Sequence, residues 1–212
     1  GAGKTTAFNL LTGVLQPTAG EVSYRGMSLK GCPPHKVVKL GIARSFQDLK
    51  LFRGLSVLDN VMLAFPNQAG DRLWRVFFTP GVVAAQERAN LANALSLLAF
   101  VGLRAKAGEF AADLSYAEEK LLVVARLMGT QAEVLLFDEP LSGLAPNTLA
   151  SILPIFRELA DSGRTVAIIE HNLDVISQLC DTAIFLDEGR KLAQAAPADL
   201  MRDPVLAGRY FK

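Results

Sequence analysis

Apolar residues recur along the chain at two spacings, one typical of helices and one typical of strands. Helical spacing begins in "GKTTAFNLLTGVL", where Phe8, Leu11 and Leu15 share one face. Short apolar runs with strand character follow, among them "IARSF", "EVLLF" and "VAII". Strands that alternate with helices and are apolar on both faces indicate a mostly parallel sheet flanked by helices. The pattern therefore predicts an α/β fold.

This alternation stops between Ser56 and Met128, where one helical segment follows another. A serine and an aspartate three residues apart cap a short helix in "SVLDNVMLA", and a long helix has an apolar face from Leu91 to Val101. We predict a helical subdomain over residues 51–130, inserted into an α/β core made of residues 1–50 and 131–212.

One segment inside this helical region lacks a clear period. Residues 66–80, "PNQAGDRLWRVFFTP", predict an inserted loop that carries the apolar cluster "LWRVFF", Leu73 to Phe78. Such a cluster either docks on a partner or a membrane surface, or folds its own aromatic rings inward. The sequence leaves both interpretations open.

Composition narrows the range of functions. The 212 residues include 22 basic and 21 acidic side chains, for a formal net charge of +1, and half of the residues are hydrophobic. This is a globular composition, and it gives no whole-chain electrostatic case for binding nucleic acid.

The first six residues, "GAGKTT", match the end of the phosphate-binding motif G-x-x-x-x-G-K-[ST]. Gly1, Ala2, Gly3 and Thr6 would place backbone N–H groups around the phosphates of ATP at a helix start. Lys4 would contact the β- and γ-phosphates, and the Thr5 hydroxyl would bind Mg²⁺. The alternative is a glycine-rich helix start with an incidental lysine.

A second motif follows a buried strand. "VLLFDEP" ends in two carboxylates at the edge where α/β sheets bind ligands. With a phosphate-binding loop upstream, Asp138 is expected to hold Mg²⁺ through its hydration shell, and Glu139 to act as general base on the attacking water. The alternative is a strand that ends in a solvated acidic turn.

Two further polar residues stand at strand ends. His171 follows the strand "VAII", at the edge expected to face the γ-phosphate, although a lone histidine is more often a cap or a core residue. Gln47 follows the strand "IARSF", and its neutral amide could contact both Mg²⁺ and the attacking water. Without the other motifs it would be an ordinary polar residue at a strand end.

Taken in order, these motifs resemble the ATP-binding subunit of ABC transporters, and the resemblance covers essentially the whole chain. It implies a fold of the P-loop NTPase type, and it identifies "LSYAEEK", Leu114 to Lys120, as the signature motif. Ser115 and Ala117 would then contact ATP bound by a second subunit. "GIARSFQDLKLFRGLSVLDNVMLA", "DEPLSGLAP" and "IIEHNLDVI" are similar to the importers of branched-chain amino acids.

The resemblance also implies partners. Two ATPase subunits, alike or different, would pair head to tail and drive transmembrane permease subunits. A substrate-binding protein would deliver the solute to the permease. The protein would be peripheral, on the cytoplasmic face of the bacterial inner membrane. Two alternatives stay open: an ATPase for lipopolysaccharide export, and a catalytically weakened partner in a heterodimer.

Two departures from the family pattern affect the expected activity. The family places its first strands and the first half of the phosphate-binding loop before the position of Gly1, so this chain alone is expected to bind and hydrolyse ATP weakly. In the signature, Ala117 adds a methyl group and Glu118 a charge where the partner's γ-phosphate would bind. The alternative for Glu118 is a capping box with Ser115 at the start of a helix.

Overall fold

A computed structural model describes residues 2–45, 49–71 and 73–204, with the backbone alone at positions 71, 73 and 75. The α-helices of these residues are α1 (Lys4–Leu11), α2 (Pro34–Leu40), α3 (Val57–Met62), α4 (Leu73–Phe78), α5 (Pro80–Phe100), α6 (Tyr116–Gly129), α7 (Pro146–Asp161), α8 (Leu173–Leu179) and α9 (Pro197–Arg202). Their strands are β1 (Ser23–Tyr24), β2 (Met27–Ser28), β3 (Ile42–Arg44), β4 (Val134–Asp138), β5 (Thr165–Ile169), β6 (Ala183–Asp187) and β7 (Arg190–Ala195).

The strands predicted from apolar runs form as expected. β3 and β4 pair in parallel, with Ile42 opposite Val134 and Arg44 opposite Leu136. β6 and β7 form an antiparallel hairpin, as do the two short strands β1 and β2. β4 is buried along most of its length, which explains why its sequence "VLLF" is apolar on both faces.

The chain divides into two compact units. The first comprises Gly1–Pro34 and Phe137–Lys212, and the second comprises His35–Leu136. The predicted helical subdomain, residues 51–130, lies within the second unit, and its limits stay a prediction.

Three helices, α3, α5 and α6, pack against one another in the second unit. Their contact surfaces are formed by apolar side chains that are fully buried, including Val61, Leu98 and Leu122. The end of α6 lies close to the end of α3: a Cβ atom at Gly129 would lie 3.4 Å from the carbonyl oxygen of Val61 and 3.1 Å from the Cβ of Ala64, just after α3. A glycine at this position therefore lets the two helices approach.

The predicted loop over residues 66–80 is wrong. Ala69–Asp71 forms a 3-10 helix and Leu73–Phe78 forms α4, after which Pro80 begins α5. Hydrogen bonds from a distant side chain hold this segment, since Gln86 accepts from the N–H of Ala69 at 2.6 Å and donates to the carbonyl of Asn67 at 3.2 Å. Hydrogen bonds from a side chain elsewhere in the sequence produce no hydrophobic periodicity in the segment that they hold.

The first unit buries its apolar residues where α7 packs on β5 and α8. The ring of Phe156 meets the ring of Phe137 edge to face, with centroids 5.1 Å apart. Within the described ranges, no helix is both long enough and apolar enough to cross a lipid bilayer.

A buried amide gives the second unit a testable feature. Asn60 is fully buried, and its side chain accepts from the N–H of Phe52 and donates to the carbonyls of Phe52 and Ser56, each at 3.0 Å. Asn60→Ala removes the acceptor of the Phe52 N–H, whereas the carbonyls of Phe52 and Ser56 keep their bonds from the N–H groups of Leu55 and residue 60. With three hydrogen bonds of a buried side chain lost, the free energy of unfolding should fall by about 1–3 kcal/mol. Urea denaturation followed by circular dichroism measures the change. Asn93→Ala, on the exposed face of α5, is the matched control and should be nearly neutral. Equal losses of unfolding free energy in both variants would contradict the stabilising role of the Asn60 hydrogen bonds.

Candidate functional site

The start of α1 has the geometry of an anion-binding helix terminus. Gly3 is the N-cap and has a left-handed conformation with φ of 89°, and its carbonyl accepts from the N–H of Ala7 at 2.9 Å. Lys4 is the first helical residue, and the first turn contains no acidic side chain. The free N–H groups of this turn, together with Lys4, favour a negatively charged ligand.

Backbone atoms of the hairpin between β6 and β7 lie against this helix start. The N–H of Gly189 donates to the carbonyl of Ala2 at 3.2 Å, and a Cβ atom at Gly3 would lie 3.2 Å from the Cα of Gly189. Position 3 therefore favours glycine for two reasons: its φ is positive, and the hairpin backbone approaches it closely. Thr5 and Thr6 follow it on the exposed side of the first turn.

The two carboxylates after β4 have different environments. Asp138 ends the strand and is buried. Glu139 has a left-handed backbone with φ of 51°, its N–H donates to the carbonyl of Ile169 at 3.0 Å, and its own carbonyl accepts from the Ser142 hydroxyl at 3.1 Å. A left-handed conformation at a residue other than glycine costs of order 1–3 kcal/mol, and such residues concentrate at functional sites.

His171 contacts this second carboxylate directly. Its Nε2 atom lies 2.8 Å from Oε1 of Glu139. An ionised carboxylate only accepts hydrogen bonds, so Nε2–H is the donor in this contact. The histidine side chain is largely exposed, and Asn172 caps α8 directly after it. The structure thus brings together two residues that the sequence placed on different strands.

Glu170 is a residue of this region that the sequence analysis missed. Its Oε1 atom accepts from the N–H of Leu141 at 3.0 Å, which fixes the segment that follows Glu139. The only signal for it in the sequence is its position, one residue before His171 at the end of β5.

A cavity of about 480 Å³ lies within the first unit, next to the start of α1. Ala2, Lys4, Glu170 and His171 line it together with residues of α8, β6 and α9. Its volume is that of an ordinary small-molecule pocket. A lysine and a histidine on one cavity can bind and polarise an anionic ligand.

The donor atoms fit Mg²⁺, the metal ion expected with ATP. A Thr5 hydroxyl and an Asp138 carboxylate are oxygen ligands, which Mg²⁺ prefers, and it commonly needs only one or two carboxylates beside phosphates. In the described part of the chain there is no cluster of three or more His, Cys, Asp or Glu residues that would hold a metal ion without such help. Gly1 and Gln47, two of the predicted site residues, lie outside the described residues.

The start of α6 has the predicted capping box. Ser115 is the N-cap, its hydroxyl accepts from the N–H of Glu118 at 3.4 Å, and its N–H donates to the Glu118 carboxylate at 2.9 Å. Nζ of Lys106 lies 2.9 Å from the other carboxylate oxygen of Glu118. The charge that the sequence places at this helix start is therefore paired within the second unit.

The next carboxylate is paired as well. Glu119 is buried, and its Oε1 atom lies 2.8 Å from Nη2 of Arg53. Ala117, between the cap and these pairs, is half-buried. The charge of Glu118, one of the two departures from the family's signature motif, is thus neutralised by a neighbouring cation. The other departure, the methyl group of Ala117, remains at the start of α6.

Comparison with known proteins identifies the family. The model of the family described as ABC transporter matches residues 1–142. The chain is 34% identical over 213 residues to the high-affinity branched-chain amino acid transport ATP-binding protein LivG of Salmonella typhimurium, which covers 100% of this chain and 83% of LivG. It is 30% identical over 212 residues to the corresponding protein BraF of Pseudomonas aeruginosa, with the same coverage of 100% and 83%.

A solved structure agrees with the sequence comparison. The crystal structure of a nucleotide-free ATP-binding cassette from an ABC transporter superposes with a TM-score of 0.80 at 26% identity, covering 97% of this chain and 82% of that one. The fold is that of a P-loop ATP-binding cassette. The chain belongs to the ATP-binding proteins of the ABC transporter family, which confirms the class and the α/β fold predicted from its motifs.

The pairing at the start of α6 predicts a pH dependence of stability. The contact with Lys106, followed by the hydrogen bonds from Ser115, lowers the pKa of Glu118 from its ordinary value of 4.5. A carboxylate with a lowered native pKa stabilises the fold above its unfolded pKa, and this stabilisation is lost as the pH falls through the native value. Lys106→Met removes the largest cause, so the loss of stability below pH 4.5 should become smaller.

Urea midpoints at neutral pH and at several acidic pH values measure this effect. Lys36→Met is the matched control, because Lys36 is exposed on α2 of the same unit. Identical acid dependence in the two variants would contradict the role of Lys106.

Proposed function

We propose that the chain is the ATP-hydrolysing subunit of an ABC importer for branched-chain amino acids or similar small solutes. The observation that carries the proposal is the hydrogen bond between His171 and Glu139, one residue after the buried Asp138. The substrate class follows from the relatives LivG and BraF, whose names state branched-chain amino acid transport.

The proposed site takes its residues from several segments of the chain. Residues 1–6 bind the phosphates of ATP through their backbone N–H groups and through Lys4, at the start of α1. Thr5, Asp138 and, from the sequence motif, Gln47 would hold Mg²⁺, Asp138 through a water molecule. When bound, Mg²⁺ neutralises charge on the phosphates and lowers the barrier for transfer to water.

Hydrolysis needs a base for the attacking water, and Glu139 fits this role. Its carboxylate takes a proton from the water, while Nε2–H of His171 restricts the orientation of the carboxylate. His171 and Lys4 line the same cavity, which supports a role for His171 next to the proposed phosphate-binding residues. Glu170 supports this geometry by holding the N–H of Leu141.

The proposal includes two kinds of partner, a second ATPase subunit and the membrane permease. Ser115 and Ala117 would contact the nucleotide that is bound by a second ATPase subunit, which is either identical or different. Permease subunits of the inner membrane would use the energy of ATP hydrolysis. A substrate-binding protein would deliver the solute to them. The chain would work on the cytoplasmic face of that membrane.

A second candidate, a subunit with a weakened signature in a heterodimer, is favoured by Ala117. Its methyl group stands at the start of α6, where a phosphate would approach the backbone. Glu118 does not add to this argument, because Lys106 and Ser115 already bind its carboxylate. The two candidates differ in one measurable property, the activity of the unmodified homodimer.

Glu139→Gln tests the proposed function. In the protein expressed from its complete gene, the variant should lose hydrolysis by at least about a hundredfold, because a glutamine amide cannot accept the proton. ATP binding, measured with a fluorescent nucleotide, should persist. Glu158→Gln, an exposed position on α7, is the matched control and should keep full activity. Full activity of Glu139→Gln would refute the assignment of the base.

Ala117→Gly tests the weakened signature. If the methyl group hinders the partner's phosphate, hydrolysis by the homodimer should rise by roughly tenfold. Glu118→Gln should give no rise, since Lys106 already pairs with the charge of Glu118 and a glutamine at this position can keep the capping box. Ala89→Gly, on the exposed face of α5, controls for the loss of helix propensity. An unchanged rate after Ala117→Gly would rule out the weakened signature.

A further inference from the structure

The segment that was predicted as a loop presents a group of exposed apolar side chains. We call these residues the aromatic patch; their exposed fractions are 53% for Trp74, 41% for Val76, 77% for Phe77, 81% for Phe78 and 59% for Val82. Phe77 and Phe78 have the highest exposure of all large hydrophobic residues that the structure describes. The inward folding of aromatic rings, which the sequence left open, therefore does not occur for Trp74, Phe77 and Phe78.

The patch is presented by ordered elements. α4 packs on α5 and on the 3-10 helix before it. Gln86 hydrogen-bonds the backbone of Asn67 and Ala69, just before α4, and Val83 is buried directly beside the exposed Val82. The exposed side chains thus belong to helices that pack on neighbouring elements.

The charged residues in the sequence of this segment indicate what the patch binds. Between Asp71 and Glu87 the sequence contains two arginines, Arg72 and Arg75, and no acidic residue. Basic residues interleaved with tryptophan and phenylalanine are typical of segments that lie at the surface of anionic membranes. A helix of six residues is about 9 Å long, so α4 can lie in the interface but cannot span a bilayer.

We propose that the aromatic patch inserts into the headgroup region of an anionic lipid bilayer. The rings of Trp74, Phe77 and Phe78 enter the boundary between headgroups and acyl chains, and the two arginines contribute attraction to lipid phosphates. This contact is independent of ATP hydrolysis and does not rest on the proposed function. It would hold the subunit at the membrane surface whether or not nucleotide is bound.

The chain contains a built-in probe for this contact, because Trp74 is its only tryptophan. The protein expressed from its complete gene is titrated with vesicles of phosphatidylglycerol and phosphatidylethanolamine, and with neutral phosphatidylcholine vesicles. If that gene encodes further tryptophans, they are first replaced by phenylalanine. The emission of Trp74 should shift to the blue, brominated lipids should quench it, and the protein should sediment with the anionic vesicles.

Variants separate the two contributions to binding. Phe77→Ser with Phe78→Ser keeps the probe and should weaken binding to anionic vesicles by about a hundredfold, since two large apolar side chains no longer leave water. Arg72→Gln with Arg75→Gln should reduce the preference for anionic over neutral vesicles and the sensitivity to salt. Phe110→Ser with Leu63→Ser, two other exposed apolar positions of the same unit, is the matched control and should bind like the wild type.

Three results would overturn the proposal. The first is a wild-type protein that shows neither a blue shift nor quenching with anionic vesicles. The second is binding that requires permease in the vesicles and is lost in the phenylalanine variant, which would assign the patch to a protein partner. The third is a change in sedimentation coefficient of the free protein in that variant, which would assign the patch to self-association. Unchanged ATP hydrolysis in the phenylalanine variant confirms that it is folded.

Discussion

The candidate site depends on one backbone hydrogen bond, from the N–H of Glu139 to the carbonyl of Ile169 at 3.0 Å. It joins the residue after β4 to the last residue of β5. Without it, the left-handed turn at Glu139 would have no fixed direction, and its carboxylate would not lie 2.8 Å from His171. Glu170 reinforces the same turn from the other side through the N–H of Leu141. The backbone of the proposed base is thus held by its hydrogen bond to Ile169, and its carboxylate is oriented by His171.

Local contacts explain why much of this arrangement could be predicted. The motif at residues 1–6, the carboxylates after β4 and the histidine after β5 all follow from short segments with a defined order. The capping box of Ser115 and Glu118 spans four residues, so its partners are visible in the sequence itself. The parallel pairing of β3 with β4 follows from the apolar character of both strands.

Other features depend on residues far apart in the chain, which no local sequence pattern pairs with one another. Glu118 meets Lys106 and Glu119 meets Arg53 only after α6 has packed, so their charges looked uncompensated. The segment from Ala69 to Phe78 looked irregular because Gln86, several residues beyond it, supplies the hydrogen bonds that order it. The positive φ of Glu139 has no sequence signal, since this conformation usually belongs to glycine or asparagine.

Net charge was a poor guide to local electrostatics in this protein. A formal charge of +1 argues against a polyanionic partner for the whole molecule, yet the charges are unevenly distributed along the chain. At the start of α6 two carboxylates meet two cations at 2.8 to 2.9 Å and cancel locally. Between residues 72 and 86 two arginines lie in a stretch without any acidic residue. Because exposed charges are screened over about 10 Å at moderate salt, the local balance decides what each surface binds. A nearly neutral protein can therefore have one helix start whose charge is compensated internally and one aromatic surface suited to an anionic bilayer.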